Sequence, residues 1–178
     1  MLASAVRLAR TLGRMQRTSP SPETLPFWQT FLDSAPEYQA SRFYESFYFA
    51  DSEAVANHLA ELVLSGVKRA TAALVWGLEA EGKAPPRAGD LSIVTDWSGK
   101  PICVIETVST EVAPFEEVTA EFAATEGEGD KTLEYWRKEH WAFFSRECGQ
   151  IAREPSARMP ILCEKFRVVY ARPSANAA

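Results

Sequence analysis

Leu91-Ser92-Ile93-Val94-Thr95-Asp96-Trp97-Ser98-Gly99-Lys100-Pro101-Ile102-Cys103-Val104-Ile105-Glu106-Thr107-Val108 holds two runs rich in β-branched residues, 91–95 and 102–108, on either side of a turn-forming Asp-Trp-Ser-Gly. Val, Ile and Thr favour extended backbone, and Gly supplies the turn. The segment therefore predicts an antiparallel hairpin, the clearest strand pair in the chain.

The hairpin is preceded by Gly82-Lys83-Ala84-Pro85-Pro86-Arg87-Ala88-Gly89, which reads as a loop, and by residues 68–78, where the pattern fits helix or strand equally. Before these, Val55, Leu59, Leu62 and Val63 recur at helical spacing, with Asp51 or Ser52 as cap and Gly66 as stop. Phe43, Phe47 and Phe49 alternate with Tyr44, Ser46 and Tyr48, which predicts a strand or an extended aromatic lid, and Phe27, Trp28, Phe31 and Leu32 predict a short helix. After the hairpin, Phe115 and Val118 lead into a short helix near 120–124. Glu126-Gly127-Glu128-Gly129-Asp130 then breaks the pattern. Asp130 is the expected cap of a helix over 131–146 with Leu133, Trp136, His140, Phe143 and Phe144 on one side, and Ile161–Tyr170 reads as a last strand.

Helices and strands are interspersed without regular βαβ alternation. The fold class expected is α+β, a mostly antiparallel curled sheet or small β-barrel flanked by helices. One domain is expected over 26–171, between a flexible basic N-terminal tail at 1–25 and a C-terminal tail at 172–178.

The 178 residues carry a formal charge of −5, from 19 Lys and Arg against 24 Asp and Glu. Arg7, Arg10, Arg14 and Arg17 are the only charges before Glu23, so from Glu23 onward 15 basic residues face 24 acidic ones, a balance of −9. A broad electrostatic grip on a polyanion needs many cations and is not expected of such a body, so any nucleic-acid substrate must be held locally. Residues 101–130 hold eight acids and no Lys or Arg, whereas 131–178 hold nine bases and five acids, so an acidic and a basic segment could face each other across a cleft. No apolar run approaches the roughly 20 residues of a membrane-spanning helix. A soluble, cytoplasmic protein is expected, although the Arg-rich, acid-free start also resembles a mitochondrial transit segment, and Met15 could equally be the true start. Cys103, Cys148 and Cys163 are too few and too far apart for a disulfide framework, and His58 and His140 are too few for a His-rich metal centre or a Ser/His/Asp triad.

Chemistry must then rest on other residue types. In Gly66-Val67-Lys68-Arg69-Ala70-Thr71, a helical backbone would put Lys68 and Thr71 on one face. A desolvated Lys can act as a base and a neighbouring Thr as a nucleophile; equally, Lys68 can offset a helix dipole and Thr71 can be a cap. The alternating glycines of 126–130 permit tight excursions of the backbone, and the three carboxylates suit a general acid or base, a Mg²⁺ or Mn²⁺ site, or acceptors for substrate amines. They also suit a solvated acidic loop. The spacing is not that of an EF-hand. Trp136, Arg137, His140 and Trp141 form a polar-aromatic cluster in which Trp or Arg could stack on a base and Arg137 could reach a phosphate, although Trp136 also fits a core position and His140 a structural one.

Taken in order, the Gly66–Thr71 element, Ala88-Gly89-Asp90-Leu91, Phe115-Glu116-Glu117-Val118-Thr119, the Glu126–Asp130 pentad and Leu133-Glu134-Tyr135-Trp136-Arg137 resemble an ASCH domain across about residues 26–170, in the bacterial branch with the longer pentad. The resemblance implies a PUA-like β-barrel and an RNA-related role in a cleft beside it. One branch of that family deacetylates N4-acetylcytidine with a Lys, a Thr and a Glu, which map here onto Lys68, Thr71 and Glu126. Another, similar in length and pentad, contains ribonucleases that act on single-stranded RNA with help from a divalent metal. The chain departs from the small amidohydrolases in its longer N-terminus, its wider loop at 79–89 and two extra residues after Glu126.

On this reading Lys68, Thr71 and Glu126 are the catalytic group, and Arg69, Glu128, Asp130, Trp136 and Arg137 contact an RNA or modified nucleoside. In a deacylase, Lys68 would activate Thr71 or a water while Glu126 protonates the leaving nitrogen. In a ribonuclease, Lys68 would take the 2′-hydroxyl proton or neutralise the phosphorane, with Glu126 as partner acid, and Mg or Mn on Glu126, Glu128 or Asp130 would assist. A non-enzymatic binding module would use Lys68 and Arg137 as phosphate contacts alone.

Overall fold

The β-branched runs pair as their sequence predicts: β3 (Leu91–Thr95) and β4 (Pro101–Pro114) are antiparallel, with Ile93 opposite Val104. Asp96 closes the turn by accepting from the Ser98 hydroxyl at 2.6 Å and the Lys100 amide at 2.9 Å. The computed structural model of the chain describes residues 19–171, so the basic stretch at 1–18 and the tail at 172–178 lie outside it. β4 runs six residues past Val108 through the polar Ser109-Thr110-Glu111, because β5 (Pro160–Ala171) pairs with it as far as Pro160 opposite Pro114.

Two further strands complete a five-stranded sheet in the order β1-β3-β4-β5-β2. β1 (Phe43–Phe47) lies parallel to β3, and β2 (Ala70–Leu74) antiparallel to β5. A register shift between Phe43 and Glu45 interrupts the period-two pattern, so Phe43 and Tyr44 are both buried. The sheet is curled and unclosed, so of the two forms expected for the α+β class it takes that of the mostly antiparallel curled sheet. Beyond β2 the edge is met by the end of a helix: the Arg69 amide donates to the Thr125 carbonyl at 3.1 Å and the Ala72 amide to Glu126 Oε1 at 3.1 Å.

Helices cover both faces. α1 (Leu25–Ser34) lays Phe27, Trp28 and Phe31 on Phe43, Leu91, Ile93 and Val104. α2 (Glu53–Leu64) packs Val55, Leu59 and Val63 against Phe47, Val94, Ile105 and Phe166. The undecided segment 68–78 is strand followed directly by α3 (Val75–Ala80). α4 (Ala120–Glu126) and α5 (Leu133–Gln150) bury Phe122, Trp136, Phe143 and Phe144 against Ala70, Ala72, Leu74 and Ile161. Each such large apolar side chain stabilises the fold by about 1.5–3 kcal/mol relative to exposure.

The expected cap of α5 needs correction. Thr132 is the N-cap, its hydroxyl accepting from the Tyr135 amide at 3.1 Å, and Asp130 sits outside the helix, accepting from the Thr132 amide at 2.9 Å. Both residues can cap; the positive φ of Gly129 and Lys131, at 54° and 66°, turns the chain so that Thr132 takes the position. The acidic and basic segments meet pair by pair, Arg167 with Glu106 at 2.7 Å, Lys165 with Glu121 at 3.1 Å and Arg158 with Glu116 at 3.3 Å, rather than across an open cleft.

Candidate functional site

Gly66, with φ at +72°, ends α2 and directs the chain into β2, while the Val67 and Lys68 amides both donate to the Leu62 carbonyl at 2.9 Å. This turn sends the Lys68 side chain inward, where it is wholly shielded from solvent. Its Nζ lies 2.6 Å from Glu128 Oε1, 3.3 Å from Glu126 Oε1 and 5.2 Å from the centre of the Phe49 ring.

The glycines of the pentad explain how two carboxylates reach one amine. Gly127 terminates α4 in the left-handed region, at φ +76°, and a Cβ there would stand 2.3 Å from the Val67 carbonyl oxygen. Only glycine lets the end of α4 lie on the turn before Lys68, with Glu126 and Glu128 on either side of the contact. At Gly129, a Cβ would meet the Tyr135 ring at 2.3 Å.

Glu126 is fully buried and receives hydrogen bonds on both oxygens. Oε1 accepts from the Ala72 amide and from Lys68; Oε2 accepts from the Trp136 indole N–H and lies 3.3 Å from His140 Nε2. His140 Nδ1 stands 3.0 Å from the Trp136 carbonyl, and its ring stacks on that indole at 4.0 Å. Burial alone would raise the Glu126 carboxyl, but Lys68, His140 and the Trp136 N–H outweigh it and hold the group down at about 2. Burial alone would lower the Lys68 amine, but Glu126 and Glu128 outweigh it and raise it above its ordinary value. At neutral pH the centre therefore holds an ammonium and a carboxylate.

The other residues singled out in the sequence lie at different depths. Because Ala70–Leu74 is a strand, the helical condition that would align Lys68 with Thr71 is not met. Ala70 and Ala72 turn toward α4 and α5, while Thr71 stands opposite Glu164 in the β2–β5 register, and Glu164 Oε1 accepts from the Thr107 hydroxyl at 2.6 Å. Thr71 is buried, and its hydroxyl has no hydrogen-bond partner among the described residues. Trp136 is in the core, Arg137 is exposed and donates to the Glu116 carbonyl at 2.8 Å, and Arg69 is exposed with no side-chain partner among the described residues.

The third pentad carboxylate does not join the other two: Asp130 Oδ1 is engaged by Thr132. Among the described residues no group of three His, Cys, Asp or Glu side chains converges; of the carboxylates named as candidates for Mg or Mn, Glu126 and Glu128 are paired with Lys68. His140 and Phe49 are the members of the site that sequence reasoning did not assign to it. The signal for His140 was its i, i+4 spacing from Trp136, which puts both rings on one face of α5.

The three cysteines are free, Cys103 and Cys148 buried and Cys163 partly so. Burial pushes the Cys103 thiol up to about 12. No helix of the described residues is long and apolar enough to cross a membrane.

An open, curled five-stranded sheet with a lysine held by helix-end carboxylates at its β2 edge defines an α+β domain of PUA-like architecture. The ASCH domain family model matches residues 45–170, and the chain belongs to that family. It is similar to the crystal structure of an ASCH domain from Lactobacillus crispatus JV V101, with 37% identity, 88% of this chain and 99% of that one covered, and a TM-score of 0.79. It is also similar to a protein of Enterococcus faecalis V583, with 33% identity, coverage of 82% and 87%, and a TM-score of 0.74. Among curated proteins no relative matches the chain. ASCH domains are generally RNA-associated.

Proposed function

We propose that this chain is a ribonuclease acting on single-stranded RNA in a cleft containing Lys68. The observation that supports this reading is the state of the lysine: an amine kept protonated by Glu126 and Glu128 is a poor base but a suitable partner for the negative charge that grows on the phosphoryl oxygens during chain cleavage. Glu126 is the fixed partner, tied by backbone, indole and imidazole. Glu128 is the exchangeable one, because it retains some solvent contact and sits between Gly127 and Gly129.

A substrate phosphate replaces Glu128 on the ammonium. The ribose 2′-oxygen then bonds to phosphorus, its proton passing to the released Glu128 carboxylate, and the bond to the 5′-oxygen breaks as a water protonates that oxygen and takes the proton of Glu128 in its place. The products are a 2′,3′-cyclic phosphate and a 5′-hydroxyl. No step is routed through a metal.

The Thr71 hydroxyl, with no hydrogen-bond partner among the described residues, favours a second reading, an amidohydrolase of N4-acetylcytidine-type nucleosides. The Thr71 oxygen bonds to the acyl carbon while Lys68 stabilises the oxyanion, the C–N bond breaks as the hydroxyl proton passes to the departing amine, and water then hydrolyses the Thr71 ester to acetate. One screen separates the two. Fluorescent single-stranded RNA, its 2′-deoxy counterpart and N4-acetylcytidine are incubated with wild type and Lys68→Ala, with and without EDTA. The ribonuclease reading expects cleavage of the RNA alone, lost in Lys68→Ala. Undiminished cleavage by that variant, or of the 2′-deoxy strand, overturns it. Acetate release that requires Thr71 supports the amidohydrolase, and salt-sensitive RNA binding without turnover supports a binding module.

A further inference from the structure

Between the end of α2 and the far half of β5 lies a cavity of about 180 Å³ whose walls include Val63, Leu64, Phe166 and Val168. Lys68 also contributes to its lining, although its ammonium is buried against Glu126 and Glu128. Leu64 is 49% exposed and Val168 37%, so two apolar side chains flank a slot that nothing in the described chain covers. At Gly66, also on its wall, a Cβ would meet no atom within 4 Å, so the entrance over the turn is open.

Two arginines line the same slot, and they differ. Arg167 is committed: its Nε and terminal nitrogen lie 2.8 and 2.7 Å from Glu106 Oε2. Arg69 is exposed and makes no ion pair or side-chain hydrogen bond among the described residues, leaving one uncommitted guanidinium beside the apolar walls.

An apolar slot of this size with one free cation fits a ligand that joins a flat, weakly polar body to a single anion. A bare phosphate would make no use of the walls, and an apolar side chain would make no use of Arg69. A long polyanion would meet the −9 body that surrounds the slot.

We infer that this slot is a single-nucleotide subsite of the RNA, in which the base of the nucleotide next to the reacting phosphodiester lies against Leu64 and Val168, over the buried Phe166, and its phosphate is held by Arg69. The inference rests on the ribonuclease reading for the choice of ligand. The walls offer apolar contact in place of a set of hydrogen-bonding groups aimed at base edges, so the subsite accepts any base.

The test is equilibrium binding of a short fluorescent oligoribonucleotide to the full chain, made cleavage-resistant by 2′-O-methylation, beside the same strand lacking its bases. Val168→Trp fills the slot from an exposed position, and Arg69→Gln removes the cation. Val168→Trp is expected to weaken binding of the complete strand about tenfold while leaving the abasic strand unchanged, a loss of the size expected for one apolar contact of about 1.4 kcal/mol. Arg69→Gln is expected to weaken both strands and reduce the salt slope by about one. On wild type, the methyl NMR signals of Val63, Leu64 and Val168 are expected to shift with the complete strand only, a readout that needs no variant. Wild-type affinity in Val168→Trp, equal affinity for the abasic strand, or still methyl signals would overturn the subsite. The two readings fail separately. Lys68-dependent cleavage with groove variants that bind normally removes the subsite alone; groove-dependent binding without cleavage of unmodified RNA removes the ribonuclease alone.

Discussion

Lys68 Nζ and Glu126 Oε1 stand 3.3 Å apart, 58 residues apart in sequence and both fully withdrawn from water. Loss of Glu126 leaves the ammonium with Glu128 alone, at 2.6 Å, whereas loss of Lys68 leaves the Glu126 carboxylate without its ammonium. Stranding a buried ion costs about 3–5 kcal/mol, whereas replacing both partners with apolar or neutral groups of similar shape removes the ion and its counter-ion together.

Urea denaturation is therefore expected to show Lys68→Met destabilised by about 3–5 kcal/mol, Glu126→Gln by less because Glu128 still pairs with the ammonium, and the double variant less destabilised than their sum by about 1–3 kcal/mol. Additive losses would show that the two side chains do not act as a pair. Activity should separate from stability: the double variant, even where it folds well, is expected to be inactive on RNA, since it lacks the ammonium.

What could be read in advance followed the range of the interaction. The 91–108 hairpin was legible because pairing partners are neighbours in sequence and its turn is Gly-marked; the extension of β4 through Ser109-Thr110-Glu111 was not, because it depends on β5, some fifty residues on. The importance of Gly66, Gly127 and Gly129 showed in their spacing, but their reason lies in a contact between Gly127 and the Val67 carbonyl that no local pattern encodes. Lys68 and Glu126 were legible as candidates through the family resemblance. That Glu128 joins them while Asp130 turns away to Thr132 follows from two left-handed glycines, whose direction a sequence does not state. The sheet's failure to close belongs to the same class: β2 spends its outer amide at Ala72 on Glu126, a side chain, and not on a sixth strand.

Glu147 on α5 gives a pH dependence of opposite sign to that of Glu126. Its Oε2 is buried with no hydrogen-bond partner among the described residues, and Oε1 lies 2.1 Å from where a Cβ on Gly77 of α3 would stand. Burial and then the nearby Glu81 carboxylate raise its carboxyl from 4.5 to about 7. A raised carboxyl favours the folded state while both states are protonated, below about 4.5, and that contribution is lost as pH rises through about 7. Glu147→Gln is expected to be more stable than wild type above pH 7, by roughly 1–3 kcal/mol, with the advantage vanishing toward pH 4. Thermal melts across this range check it; a constant difference would mean that Glu147 keeps its ordinary protonation behaviour in the fold.

Gly127 ties stability and site together through one backbone contact. Any side chain there meets a left-handed φ of +76° and, at 2.3 Å, a carbonyl oxygen of the turn that carries Lys68, so the neighbour cannot swing aside as a flexible side chain would. Gly127→Ala must either bear the strain, at about 1–3 kcal/mol, or lift the end of α4 from Val67. Lifting would draw Glu126 and Glu128 away from Nζ and break the Thr125 carbonyl's bond to the Arg69 amide. Hydrogen exchange reports which occurs: faster exchange at the Arg69 and Ala72 amides, both bonded to the end of α4, is expected in Gly127→Ala, while the Ile93 and Val104 amides of the β3–β4 pair keep their wild-type protection. Gly66→Ala provides the contrast, because its Cβ would meet nothing within 4 Å and only its φ of +72° opposes the change. It should lose stability, by about 1 kcal/mol, without altering exchange at Ala72. Equal exchange at Ala72 in both variants and wild type would show that the end of α4 is held by contacts other than the one Gly127 permits.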